Sequence, residues 1–232
     1  PPSLPHFPPR TPRRTIPHGM PDEDRKRWWD SHYSRRTQED APSTAAPAEW
    51  ILADFTALSG VRNILDLGCG SGHAAERLHS AGYTVLATDI SPVALRQLKH
   101  RAPGIATLEL DHARPLPFGN RSFDAVVADL SLHYFSAAVT EAIVAEIARV
   151  LRPHGVLVAR VNSIHDTSYG AGLGREVEPG FFERDGHYKR FFDEPSLRRF
   201  LSGWHDVRIR HASLDRFGPV KHVLQVFARR PA

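Results

Sequence analysis

The chain of 232 residues holds one cysteine, Cys69, and one methionine, Met20. A single cysteine excludes an internal disulfide framework. No apolar run approaches the length needed to cross a membrane, and no secretory signal pattern is present. These absences lead us to expect a soluble, cytoplasmic protein with no membrane partner. The 14 histidines are scattered, with no tight ligand-spaced cluster beside carboxylates, so no metal site is expected. Charge of one sign is also missing. Lys and Arg number 30 against 26 Asp and Glu, and Arg10, Arg13 and Arg14 fall in a first segment that has no acid. The remainder is close to neutral, which argues against nucleic acid as a partner.

What is present begins with proline. Eight of the 19 prolines lie in residues 1–21. Proline removes backbone donors, so this tail is expected to be extended and poorly anchored. An upstream extension, with the functional chain starting near Met20, explains it equally well. A helix follows over residues 22–34, with acids in its first turn and the i,i+4 pairs Trp28/His32 and Trp29/Tyr33. Residues 35–44 read as loop and 47–58 as an amphipathic helix. Residues 45–232 are long enough for one domain with a sizeable core.

The stretch that organises this domain is Ile64-Leu65-Asp66-Leu67-Gly68-Cys69-Gly70-Ser71-Gly72-His73. An apolar run over 61–67 reads as a buried parallel strand, and 74–79 as the helix after it. Three alternate glycines fill the turn between them. Glycine tolerates φ > 0 and lets backbone approach a ligand, and the helix start offers unpaired N–H groups. The dinucleotide fingerprint G-x-G-x-x-G, counted from Gly68 and Gly70, needs a third glycine where His73 stands.

Further units alternate in the same way. A strand over 84–89 ends in Asp89, and Ser91-Pro92 opens a helix. Asp89 can accept two hydrogen bonds from vicinal ribose hydroxyls, a device that serves dinucleotides as well. A third strand, 106–110, leads to Asp111-His112, and a fourth ends at Asp129-Leu130. Then come a helix (140–151), a turn (152–155) and a fifth strand (156–161). In an open parallel sheet ligands sit beyond the carboxyl ends of the strands. Asp129, His133, Asn162 and Ser163 fall on that edge. Residues 163–192 are rich in glycine and charge and read as a mobile lid, with Lys189-Arg190-Phe191-Phe192 as its packed hinge. A helix (196–201) and two strands (206–212 and 221–229), with Phe217-Gly218-Pro219 in the turn, complete the chain.

The pattern D-x-G-x-G-x-G resembles motif I of the class I S-adenosylmethionine (SAM) methyltransferases. Leu116-Pro117-Phe118 with Phe123-Asp124, and Leu151-Arg152-Pro153-His154-Gly155, are similar to that family's L-P-F…F-D and L-x-P-G-G runs, departing at His154. Trp29-Asp30-Ser31-His32-Tyr33 resembles the N-terminal cap of its small-molecule members, and the runs DLSLHYF (129–135), ARVNS (159–163) and YKRFF (188–192) look like those of its type 11/12, tellurite-resistance-like branch. The resemblance implies an α/β, Rossmann-like sheet of seven strands, mostly parallel with an antiparallel C-terminal hairpin and helices on both faces. It implies S-adenosyl-L-methionine as cofactor, held by Asp66, Gly68, Cys69, Gly70, Gly72, Asp89, Ile90, Asp111, His112, Asp129 and Leu130. The acceptor would be a small molecule, met by His133, Tyr134 and Tyr33, with Asp129 and His187 behind them. His133 is the leading candidate base, with an ordinary pKa near 6.5. No N/D-P-P-Y run follows the fourth strand, which weighs against amino methylation of adenine or glutamine. Two other readings stay open: an NAD-dependent oxidoreductase, and a non-catalytic scaffold or regulatory subunit of the same fold. The oligomeric state and the acceptor atom are left open too.

Overall fold

The computed structural model describes residues 22–35, 49–56, 58, 60–215 and 219–231. The proline-rich tail (1–21), nearly all of the loop expected at 35–44, and Phe217 and Gly218 of the last turn lie outside the described residues. Helices are α1 (Asp22–Ser34), α2 (Glu49–Thr56), α3 (His73–Ser80), α4 (Pro92–Arg101), α5 (Ala137–Val150) and α6 (Glu194–Phe200). Strands are β1 (Asn63–Leu67), β2 (Thr84–Asp89), β3 (Ala106–Glu109), β4 (Phe123–Asp129), β5 (Leu151–Asn162), β6 (Arg175–Glu178), β7 (Phe181–Arg184), β8 (His187–Arg190), β9 (His205–Leu214) and β10 (Lys221–Arg229). None of the described helices is long and apolar enough to cross a membrane.

Seven strands form one sheet in the order β3-β2-β1-β4-β5-β10-β9. β1 to β5 run parallel, while β10 is antiparallel to both β5 and β9. The antiparallel hairpin expected from the last two strands is therefore there, at the sheet edge. Alternation along each strand decides which face a side chain joins. Leu65 and Leu67 of β1, Val126 of β4 and Leu157 of β5 pack with Val139, Ile143 and Ile147 of α5. Ile64, Ala125, Val127 and Val156 point the other way, against Ile51 and Phe55 of α2, Leu78 of α3 and Leu98 of α4. Both faces of the sheet are thus covered by helices, as buried parallel strands require.

Two local expectations change. The α5 helix starts at Ala137 instead of 140, because the Ser136 hydroxyl accepts from the Val139 N–H and caps the helix. The segment 152–155 does not stand clear of the sheet as a separate turn. Leu151 pairs with Phe123 and Val156 with Ala125, so those residues form a bulge within β5. The larger difference concerns 163–192, where no strands were expected. It folds into a three-stranded antiparallel sheet, β6-β7-β8. Its strands have four residues each and carry charges on both faces, so they leave no sustained alternation to read.

His154, exposed in the β5 bulge, sits at φ 64°, where the family motif has glycine. Left-handed backbone costs a residue with a Cβ about 1–2 kcal/mol, and glycine gives part of that back as unfolded-chain entropy. His154→Gly should therefore stabilise the fold by about 0.5–1 kcal/mol, a melting-temperature rise of ~1–4 °C in calorimetry. A lower melting temperature would mean that the imidazole makes a contact worth more than its strain.

Candidate active site

β1 ends at Leu67 and the chain turns through Gly68, Gly70 and Gly72 at φ 77°, 56° and 91° before α3 begins. The Gly68 and Cys69 N–H groups both donate to the Thr88 carbonyl at 2.8 Å. Gly70 N–H donates to Asp89 Oδ2 at 2.8 Å, and Ser91 N–H to Asp89 Oδ1 at 2.9 Å. A Cβ on Gly68 would lie 2.5 Å from Ser131 Cβ, and one on Gly70 would lie 2.6 Å from the Tyr33 hydroxyl. These glycines are needed for the close approach as well as for the dihedral angle. Gly72 plays another part: it does not line the cleft but faces Leu98 of α4.

Above this turn lies a cleft of about 950 Å³ at the carboxyl edge of the sheet. Of the residues expected to hold the cofactor, all but Gly72 line it, as do His133, Tyr134 and Tyr33. Asn162 lines it too. Ser163 does not; it pairs with Phe192 as an isolated bridge. The His187 ring lies beside Trp28, at 5.1 Å, on the wall of a smaller adjoining cavity.

The acids of the cleft are not equally satisfied. Asp66 has no exposed surface, and neither of its oxygens makes a hydrogen bond of normal geometry. Burial, followed by the charges of Asp129 and Asp89, raises its pKa well above the usual range, and the Ala75 N–H offsets this only in part. Asp89 is pushed up to about 6 by burial, opposed by the Ser91, Gly70 and Ile90 amides. Asp129 is fully engaged: Arg160 grips it at 2.6 Å through Nε and 2.5 Å through Nη2. That guanidinium is buried and lies 4.8 Å from the Trp50 ring. Asp111 receives Arg25 from α1 on Oδ2 and the Ala113 N–H at 3.0 Å on Oδ1.

Other expected residues have structural partners of their own. His112 Nε2 is 3.3 Å from the Ser131 carbonyl, its ring edge-on to Phe135, and burial lowers its pKa. Leu130 stands at φ 57°, its N–H donating to the Arg160 carbonyl at 3.0 Å. This is backbone strain at the lip of a site. Cys69 is a poor nucleophile, since burial, then Asp66 and Asp89, raise its thiol well above the ordinary value.

α1 closes the cleft from above. Ser91 Oγ donates to Asp30 Oδ1 at 2.5 Å, and Gln97 Nε2 donates to the Tyr33 carbonyl at 3.0 Å. The i,i+4 pairs expected on this helix are formed, with Trp28 stacked on His32 and Trp29 on Tyr33. Trp29 also meets Tyr134 edge-on at 5.1 Å. Both tryptophans line the cleft rather than the core of the domain.

His133 differs from the expectation in one respect. It is 2 % exposed and its Nδ1 has no hydrogen-bond partner. Its pKa lies well below 6.5, because burial and then the charges of Lys221 and Lys189 disfavour the imidazolium. Those lysines were missed as site residues. Lys189 was read with the packed hinge, a description that fits only the buried Arg190, Phe191 and Phe192. Lys221 opens β10 and pairs with the buried Asp166 at 2.7 Å. No spacing in the sequence links positions 133, 166, 189 and 221. Among the described residues no three His, Cys, Asp or Glu side chains gather as a metal site.

The profile of the family described as "Methyltransferase domain" matches residues 64–155, which run from β1 into β5. The protein Rv1403c of Mycobacterium tuberculosis, named as uncharacterised, is 30 % identical over 213 residues, covering 80 % of this chain and 76 % of its own. The methyltransferase sll0829 of Synechocystis is 39 % identical over 100 residues, or 43 % of this chain and 47 % of its own. The match thus spans about half the length of that relative. Among solved structures, the 1,6-didemethyltoxoflavin-N1-methyltransferase of Burkholderia thailandensis, with bound 1,6-didemethyltoxoflavin and S-adenosylhomocysteine, superimposes with a TM-score of 0.68. At 20 % identity over 95 % of this chain and 94 % of that one, the likeness bears on the fold. With the glycine turn, the sheet order and these matches together, the chain belongs to the class I SAM-dependent methyltransferase family.

The Asp129–Arg160 pair carries a prediction. Arg160→Ala leaves a carboxylate uncompensated at a mostly buried position, and should cost about 3–5 kcal/mol in urea unfolding. Arg160→Met combined with Asp129→Asn should recover most of that loss. If the single variant loses less than ~1 kcal/mol, the pair behaves as a surface ion pair and its burial has been overvalued.

Proposed function

We propose that this chain transfers the methyl group of SAM to a small-molecule acceptor. The observation that carries this reading is the buried carboxyl of Asp66 beside the glycine turn, which makes no well-formed hydrogen bond. A carboxylate in that position is costly until a donor or cation reaches it. The cofactor brings both an ammonium and a sulfonium centre, so the donor set suits it. Asp89 spends one lone pair of each oxygen on backbone amides and keeps the others for ribose hydroxyls. Asp111, His112, Ile90 and Leu130 would hold the adenine, with Cys69 in the turn beside them.

When bound, the cofactor supplies a methyl group activated for in-line displacement. The work left to the chain is alignment and exclusion of water. Trp28, Trp29 and Tyr33 of α1 cover the cleft, and Tyr134 meets them from the β4 side. The β6-β7-β8 sheet serves as the lid on the acceptor side. His133 is the candidate base: it stays neutral at ordinary pH and its Nδ1 is open to an acceptor proton, though burial and the two lysines make it a weaker base than free imidazole. The antiparallel β9–β10 hairpin and His73 in place of a third fingerprint glycine disfavour the NAD-dependent alternative. A non-catalytic scaffold would have no use for an uncommitted imidazole in the cleft.

Calorimetry with SAM tests the reading directly. Asp89→Ala should weaken SAM binding by ~1–3 kcal/mol, the scale of buried hydrogen bonds left unmade. Because Asp89 takes up a proton near pH 6, the affinity of the wild type should also fall as pH drops. Between pH 7.5 and 5 we expect at least about a tenfold loss, since each unit below the pKa costs a factor of ten. An affinity that is flat over this range and unchanged in Asp89→Ala would remove Asp89 from the site.

His133→Ala separates chemistry from binding. With an acceptor found by screening against methyl-labelled SAM, kcat should drop ~10²–10⁴-fold while SAM affinity holds. At saturating SAM the wild-type kcat should stay level as pH falls through 6.5, because the depressed pKa keeps the imidazole neutral there. A folded variant with full activity from pH 6 to 9 would end the proposal of a base.

A further inference from the structure

Adjoining the large cleft is a second cavity of about 250 Å³. Trp28 and Trp29 wall it on the α1 side, and Phe182, Tyr188 and Phe191 on the side of the small sheet. Tyr134 and Lys189 line both spaces, so the two adjoin along a shared wall. Aromatic side chains on both walls suit a flat ring.

The charges in this extension are unequal. Arg25 is paired with Asp111, and Arg184 lies 3.5 Å from Asp185. Lys221 holds Asp166, whose other oxygen already accepts the His222 N–H at 2.9 Å. Lys189 is half-buried, and its ammonium makes no hydrogen bond or ion pair among the described residues. Burial and the neighbouring Lys221 lower its pKa, which shows how poorly the charge is compensated. Two lysines thus face the acceptor side of the cleft with one carboxylate between them, and that carboxylate is committed.

We propose that the acceptor is a flat, ring-bearing anion and that Lys189 is the counter-ion that selects it, an inference that rests on the methyltransferase reading given above. Its anionic group occupies the place beside the Lys189 ammonium, while its ring lies between the tryptophans of α1 and the aromatic residues of β7 and β8. The arrangement discriminates against neutral rings, because they would leave the ammonium desolvated and unpaired.

Two dyes with one aromatic frame test this on the full chain: anionic 8-anilino-1-naphthalenesulfonate and neutral N-phenyl-1-naphthylamine, followed by fluorescence. Lys189→Met should weaken the sulfonate about tenfold, the scale of one partly desolvated charge contact, and the neutral dye less than twofold. Lys189→Arg should keep the wild-type ratio, and Lys189→Gln repeats the test should the methionine variant fold poorly. If both dyes weaken alike, or neither does, the proposal is overturned. It is equally overturned if Lys189→Met loses SAM affinity in calorimetry, since Lys189 would then serve the cofactor. Failure of the wild type to bind SAM would defeat the methyltransferase reading, while the dye ratio would still judge the anion site on its own.

Discussion

The Gly68 and Cys69 amides converge on the Thr88 carbonyl, and the Gly70 amide reaches the Asp89 carboxylate next to it. These bonds tie the turn after β1 to the end of β2. They hold only while Gly68 and Gly70 keep positive φ, and the bareness of those two glycines lets other parts of the chain close in. Ser131 settles over Gly68 and donates its hydroxyl to the Leu67 carbonyl at 2.6 Å, which sets the lip after β4. Tyr33 settles over Gly70, which sets α1. The floor, lip and cover of the cleft therefore depend on one backbone arrangement.

Charge is distributed along the cleft with a clear polarity. At the end near the turn, Asp66, Asp89 and Asp129 come from three neighbouring strands, and the charges of Asp129 and Asp89 add to the cost of ionising Asp66. Their compensation is graded: Arg160 for Asp129, backbone amides for Asp89, and no well-formed hydrogen bond for Asp66. At the other end, Lys189 and Lys221 leave an excess of positive charge around His133. A cationic cofactor and an anionic acceptor are complementary to such a field, each at its own end. The same field keeps His133 neutral, since both burial and the lysines oppose its protonation.

Much of the catalytic half was legible in the chain itself. The expected strands at 61–67 and 84–89 and the one ending at Asp129 are too short for helices and carry an acid at or next to their carboxyl ends, and Ser91-Pro92 marks a helix start that the structure keeps, with Ser91 accepting from the Ala94 N–H at 3.3 Å. The α1 helix also matched its expected span, because its end acids and its i,i+4 aromatic pairs are local signals. The β6-β7-β8 sheet was not legible. Its pairing depends on turns near Gly180 and Gly186 at φ 73° and 77° and on side chains such as Arg190, which bonds Glu178 at 2.6 Å and packs over Phe181.

By itself, then, the sequence determined what local periodicity and local chemistry can encode: alternating strands and helices, a glycine turn and acids at the ends of consecutive strands. Only the tertiary structure decided how those acids are compensated, that Gly72 faces Leu98 and not the cleft, and that His133 is a depressed, uncommitted imidazole. It alone left the Lys189 ammonium near a carboxylate, Asp166, that is already committed to Lys221, and brought Arg25 to Asp111 and Arg160 to Asp129. The reason is physical. Burial and charge pairing are properties of neighbourhoods built from residues far apart in the chain, and a pKa or an unmet hydrogen bond exists only once that neighbourhood has closed.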